Sequence, residues 1–246
     1  MKRTLLSLAG SLAPLLAHAG CEDHVQAWAR QLHPARTFDS KMATCKVWPA
    51  NAALTIAALP FGNAEDKDGG GSVDLEVLVA DTATGAIVAH QFQPAAIRYE
   101  ADHGLDGVEI DTARYQLTSA QRAFGVRVKS SGGMPADMSG FETLSLFMIV
   151  GPHLHTVLDR MEAITWTGER DGPCVSTVET TRSIALGPVG PQSYAALRVN
   201  EKYVERELQF NGQTCSEKSM SAKPRNFTLN YRDGTYRIPD DLRHSN

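Results

Sequence analysis

The most ligand-like spacing in the chain is Asp66-Lys67-Asp68-Gly69-Gly70-Gly71-Ser72-Val73-Asp74. A hard cation such as calcium takes roughly six to eight oxygens from a backbone that curls around it. Asp66, Asp68 and Asp74 fit the first, third and ninth places of such a loop. Gly70 stands where a further Asp or Asn belongs, and Val77 where a bidentate Glu closes an EF-hand, so the same residues also read as a solvated, Gly-rich hairpin tip. A second grouping is His153-Leu154-His155 beside Gly151-Pro152. On a strand both imidazoles face one side, with Asp159 further along that face, a pattern open to a transition metal but lacking a third ligand nearby.

Hydrolytic signatures are missing: there is no Gly-x-Ser-x-Gly elbow, Ser-x-x-Lys, His-Glu-x-x-His, phosphate-cradling loop or dinucleotide fingerprint. Carboxylate pairs of the glycosidase kind come from separate strands. The nearest in sequence, Glu109 with Asp111 and Glu169 with Asp171, read as outward strand and turn charges. His103, between Asp102 and Gly104, reads as a loop residue. Flat aromatics on a β surface bind sugars or partner side chains, and Trp48, Trp166, Tyr194, Tyr203, Tyr231 and Tyr236 are the residues to watch. Tyr231 and Tyr236 flank Asp233-Gly234 and are expected to pair across a turn.

Four cysteines, Cys21, Cys45, Cys174 and Cys215, lack the Cys-x-x-Cys spacing of redox or zinc sites. Residues 1–19 read as a secretory signal peptide: Lys2 and Arg3, an apolar run over 5–16, then Ala17-His18-Ala19. Export leads to an oxidising compartment and two disulfides. Three connectivities exist; Cys21 with Cys45 and Cys174 with Cys215 are favoured, because each pair then closes a loop within its own half of the chain. Cys21 directly after Gly20 also suits a lipoprotein signal, although His18 stands where that signal wants an apolar residue.

The elements that must position these residues follow from periodicity. Over 22–32, Val25, Trp28, Ala29 and Leu32 form one face of a short helix ended near Pro34. Beyond Cys45 the period becomes two, giving strands over 54–61, 73–80, 86–92, 108–117, 122–129, 141–150, 154–167, 175–186, 195–204, 227–231 and 235–238. Val73, Leu75, Val77 and Val79 share one face and Asp74 and Glu76 the other, the pattern of an antiparallel sheet wet on one side. Residues 81–85 and 151–153 read as hairpin turns, and 62–72, 130–140 and 211–225 as surface loops. The fold class is mainly β: an antiparallel β-sandwich or barrel-like sheet of about ten strands with one short N-terminal helix. Residues 20–246 form a single exported domain, with a subdivision near 168–173 as the alternative.

Cys45-Lys46-Val47-Trp48-Pro49-Ala50, Asp111-Thr112-Ala113-Arg114-Tyr115-Gln116-Leu117 and Arg122-Ala123-Phe124-Gly125-Val126-Arg127-Val128 resemble an uncharacterised family of exported proteins of Gram-negative bacteria, and the likeness continues through Trp166, Gly172, Cys174, Thr181-Arg182-Ser183 and Ala185-Leu186-Gly187. The resemblance implies a periplasmic home and a structural setting for Cys174, and no activity. A net charge of −4 without a basic stripe argues against nucleic acid, and no apolar run after residue 19 approaches a transmembrane length. The expectation is a periplasmic, disulfide-stapled binding module contacting an envelope protein or a glycan. The alternatives are a hydrolase of envelope polysaccharide or peptide and a calcium-stabilised structural domain.

Overall fold

The computed structural model describes residues 21–190 and 192–243, so residues 1–19, read above as an export signal, lie outside the described residues. It opens with helix α1 (Glu22–Leu32), whose first turn carries Glu22 and Asp23, where acids complement the helix dipole. Twelve strands of one sheet follow: β1 (Thr44–Val47), β2 (Leu54–Gly62), β3 (Gly71–Asp81), β4 (Ile87–Tyr99), β5 (His103–Gln116), β6 (Arg122–Met134), β7 (Asp137–Val150), β8 (His153–Asp171), β9 (Cys174–Val189), β10 (Ala195–Phe210), β11 (Cys215–Ser221) and β12 (Arg225–Leu229). A small hairpin, β13 (Tyr231–Arg232) with β14 (Thr235–Tyr236), follows, and then a short 3-10 turn at Asp240–Leu242. The mainly β class is as expected.

The first eight strands run in the order β1-β2-β3-β4-β8-β7-β6-β5 and curl into a nearly closed barrel. All neighbours are antiparallel except β4 and β8, which are parallel and share a single register pair, His90 with His153. The barrel interior holds Ile56, Ala58, Val73, Leu75, Val77, Val79, Val126 and Phe147, together with the ring row Trp48, Phe124 and Phe147. The long strand β8 then leaves the barrel. Its second half pairs with β9, and β9 with β10, which is edged by β11 and β12. These strands and the C-terminal segment cover the outer face of β6–β8 through Leu144, Leu146, Leu158, Met161, Leu197, Val199 and Leu242.

On the other flank α1 packs on β2 and β3. Val25, Trp28 and Ala29 meet Ala57, Leu59, Leu78 and Ala80, and the Trp28 indole N–H donates to the Gly85 carbonyl at 2.7 Å. Fully burying a side chain of this size is worth about 1.5–3 kcal/mol. The disulfide Cys21–Cys45 ties the helix start to β1, and Cys174–Cys215 ties β9 to β11. Both are the favoured pairings. The Cys21 sulfur is thereby bonded to Cys45, and it is the atom a lipid thioether would need.

Three sequence expectations are corrected. The 130–140 stretch is the paired end of β6 and β7, which turn at Pro135-Ala136, and 211–225 contains the edge strand β11. Asp74 and Glu76 do not face water: they are 7% and 1% exposed, beneath the segment that follows α1. Period two marked them as the polar face correctly, but a covering element from elsewhere in the chain was invisible to it.

Candidate functional site

The side of the barrel opens where β4 and β8 part. Beyond His90 and His153 the backbone ladder is replaced by side chains: the Thr156 hydroxyl donates to the Gln91 amide oxygen at 2.9 Å and accepts from Gln93 Nε2 at 3.3 Å. Both strands then bulge. Ala95 on β4 has φ 47° and Arg160 on β8 has φ 49°, left-handed conformations that cost a non-glycine residue of order 1–3 kcal/mol.

Each bulge is held by a specific bond. The Arg160 backbone N–H donates to the Ser145 hydroxyl at 3.0 Å. The Ala95 N–H donates to Asp74 Oδ1 at 2.6 Å, and the same carboxylate accepts from Asn63 Nδ2 at 2.9 Å and from the Arg36 guanidinium. Burial pushes the Asp74 carboxyl up, but the Ala95, Asn63 and Arg36 donors outweigh it and hold the group below its ordinary range.

Between the bulges lies a cavity of about 180 Å³. Its floor is apolar, with Leu75, Ile97, Val126, Val128, Phe141 and Phe147, and its rim carries Gln93, Thr143, Ser145, Asp159 and Arg160. An apolar cavity of about 150 Å³ is enough for one benzene ring. The mixed lining, which also includes Arg98, suits a small ligand with an apolar body and a polar end.

The residues singled out from the sequence are scattered by comparison. Asp66 and Asp68 are exposed in a turn closed by Asp66 N–H to the Gly70 carbonyl at 2.7 Å. Asp74 is already neutralised by Arg36, so a cation shared with Asp66 and Asp68 would have to displace a guanidinium from a buried carboxylate. The structure thus gives Asp74 a different task, fixing the wall of the side cavity. His153 is exposed, and His155 Nε2 lies 2.8 Å from the Gly234 carbonyl oxygen. The described residues contain one tight grouping of metal-ligating side chains, Cys21, Glu22 and Cys45, and its two sulfurs are the disulfide.

The Glu109 and Asp111 pair is likewise committed to cations. Glu109 meets Lys129 at 2.6 Å. Asp111 meets Arg127 at 2.7 Å and accepts from the Tyr115 hydroxyl at 2.8 Å, while Arg127 also bonds Glu142. Burial raises Asp111 and the Ala113, Arg127 and Tyr115 donors more than reverse it; burial and the Asp111 charge raise Tyr115. His103 sits between Asp102 and Ser139, at 3.0 and 2.9 Å. Glu169 and Asp171 are exposed at the β8–β9 turn. Tyr231 and Tyr236 pair across their turn as expected and meet edge to face, with Tyr194 stacked on Tyr231 at 3.7 Å. Burial and the Tyr194 hydroxyl raise Tyr231 to about 12.

Sequence reasoning missed the side cavity because its walls come from β3, β4, β6, β7 and β8, far apart in the chain. One signal was present: Pro94 inside the strand pattern of β4 marks a bulge, since proline cannot donate to the ladder. Compared with known proteins, the chain matches no family model, no curated protein and no solved structure.

Proposed function

We propose that the protein is a binding module of the bacterial cell envelope, working in the periplasm, that holds a small and partly apolar ligand in the side cavity between β4 and β8. The two disulfides suit an oxidising compartment, and residues 1–19 have the composition of an export signal. The observation that carries the binding reading is the pair of left-handed residues, Ala95 and Arg160, lining one cavity with an apolar floor and a polar rim. Strain of this kind concentrates where a fold builds a ligand site. A fragment with one ring and one polar group, such as those released from envelope glycans or aromatic amino acids, fits its size.

The test is native mass spectrometry and thermal unfolding of the protein against a panel of ring-sized fragments, alongside Ala96→Phe, which fills the cavity. A ligand at a hundred times its dissociation constant adds about 2.7 kcal/mol, a melting shift of roughly 5–11 °C for a chain of this size. Ala96→Phe is expected to keep the fold and lose the shift. Equal shifts in the two proteins would place the ligand elsewhere and end this reading.

A further inference from the structure

A second cavity, of about 370 Å³, opens further toward the starts of β2 and β6 and the end of β7. Its walls include Trp48, Leu54, Gln116, Arg122, Met148 and Ile149. Among the described residues two buried side-chain polar atoms have no hydrogen-bond partner, Trp48 Nε1 and Arg122 Nε, and both belong to this cavity's walls. Trp48 is 6% exposed. The Arg122 guanidinium donates through Nη2 to the carbonyls of Thr112 at 3.2 Å and Ala113 at 3.4 Å. Among the described residues no carboxylate pairs with it. Buried donors are almost always satisfied in folded proteins, and the half-buried Arg122 leaves one such N–H open.

We propose that this cavity is the seat of a small monocarboxylate with an apolar tail. A carboxylate only accepts, and it has an oxygen for each of the two unpaired donors on this wall. Charge-assisted bonds of this kind are roughly twice as strong as neutral ones. Arg122 is the one charged residue in the cavity wall, so a single negative charge is neutralised whereas a phosphate dianion would keep one charge unanswered. The tail lies against Leu54, Met148, Ile149 and the Trp48 ring. Both N–H groups are shut off from solvent, so the carboxylate reaches them by displacing side chain at the cavity wall. The site is separate from the side cavity, and neither proposal depends on the other.

The experiment titrates the protein with hexanoate and with hexanamide, its uncharged counterpart, by calorimetry and by following the indole N–H resonances of the three tryptophans. Hexanoate is expected to bind at least about ten-fold more tightly than hexanamide and to move the Trp48 resonance, since a hydrogen bond to a charged group is worth about 1.5–3 kcal/mol. Arg122→Gln should lose roughly ten-fold or more in hexanoate affinity, and Ala96→Phe, in the other cavity, should lose nothing. Trp48→Phe should weaken hexanoate less than Arg122→Gln; if its core change prevents folding, the hexanoate-to-hexanamide ratio and Arg122→Gln still decide. Equal affinity for the two compounds, unchanged hexanoate affinity in Arg122→Gln, or no heat and no resonance shift with hexanoate would each overturn the proposal.

Discussion

Replacing Asp74 with Asn keeps the shape of the side chain and removes its charge, and the structure sets the size of the effect. The carboxylate answers three donors: the Ala95 backbone N–H, Asn63 Nδ2 and Arg36. An amide offers one acceptor oxygen and turns an NH₂ toward at least one of those donors. One hydrogen bond to a charged group is worth about 1.5–3 kcal/mol, while Arg36 is 26% exposed along its side chain and its loss of partner is softened by solvent. A cost of about 3 kcal/mol follows, or a melting temperature roughly 6–12 °C lower. The pH dependence has a definite sign. The folded Asp74 carboxyl is held below its ordinary value of 3.8, so its stabilisation is present above that value and is lost as pH falls through the lower folded one. The gap between wild type and Asp74→Asn should be constant near neutrality and close in acid below about pH 4. Thermal melts across pH measure this, and hydrogen exchange at the Ala95 amide reports the bulge directly, where the variant should exchange faster. An Asp74→Asn protein that melts within about 1 °C of wild type, with Ala95 equally protected, would refute the claim that this carboxylate holds the cavity wall.

Arg182 is 8% exposed and joins Glu201 at 2.9 Å and Glu162 at 3.1 Å, so Arg182→Met removes the buried cation these two carboxylates share and should cost about 3 kcal/mol, softened at Glu201 by its second partner Arg225 at 3.4 Å, read from chemical denaturation. Gly132→Ala places a Cβ 1.8 Å from the Asp102 carbonyl oxygen and should lower the melting temperature severely, whereas Gly107→Ala, with nothing within 4 Å, should lie within about 1 kcal/mol of wild type. Removing the Cys21–Cys45 disulfide, which closes a separation of 24 residues, should cost about 3 kcal/mol and free α1, seen as a red shift of emission from the now-exposed Trp28.

Much of the fold was legible because hairpin neighbours declare themselves. Val73 to Val79 alternate, Asp81 to Gly85 spell a turn whose Gly85 takes φ 71°, and β3 and β4 pair across it. The pairing of β4 with β8 was not legible, since one register pair between strands some sixty residues apart leaves no periodic trace. Charge patterning misled for a physical reason. Asp74 and Glu76 look like a wet face, yet His33 and Arg36, just past the end of α1, supply partners for them: Arg36 bonds Asp74, His33 Nε2 lies 2.7 Å from Glu76, and His90 Nδ1 lies 3.1 Å from the other Glu76 oxygen. The candidate sites were hidden in the same way. Trp48 stood out as a flat aromatic, but nothing in the sequence joined it to Arg122, which lines the same cavity.

The ring row in the barrel determines what kind of vessel the barrel is. Trp48 lines one cavity and Phe147 the other, with Phe124 in contact with both at 5.8 Å. These three side chains are nearly or wholly buried, and a close-packed interior leaves no lane for a solute between them. The row therefore acts as a partition: a solute in one cavity would reach the other through solvent and not between these rings.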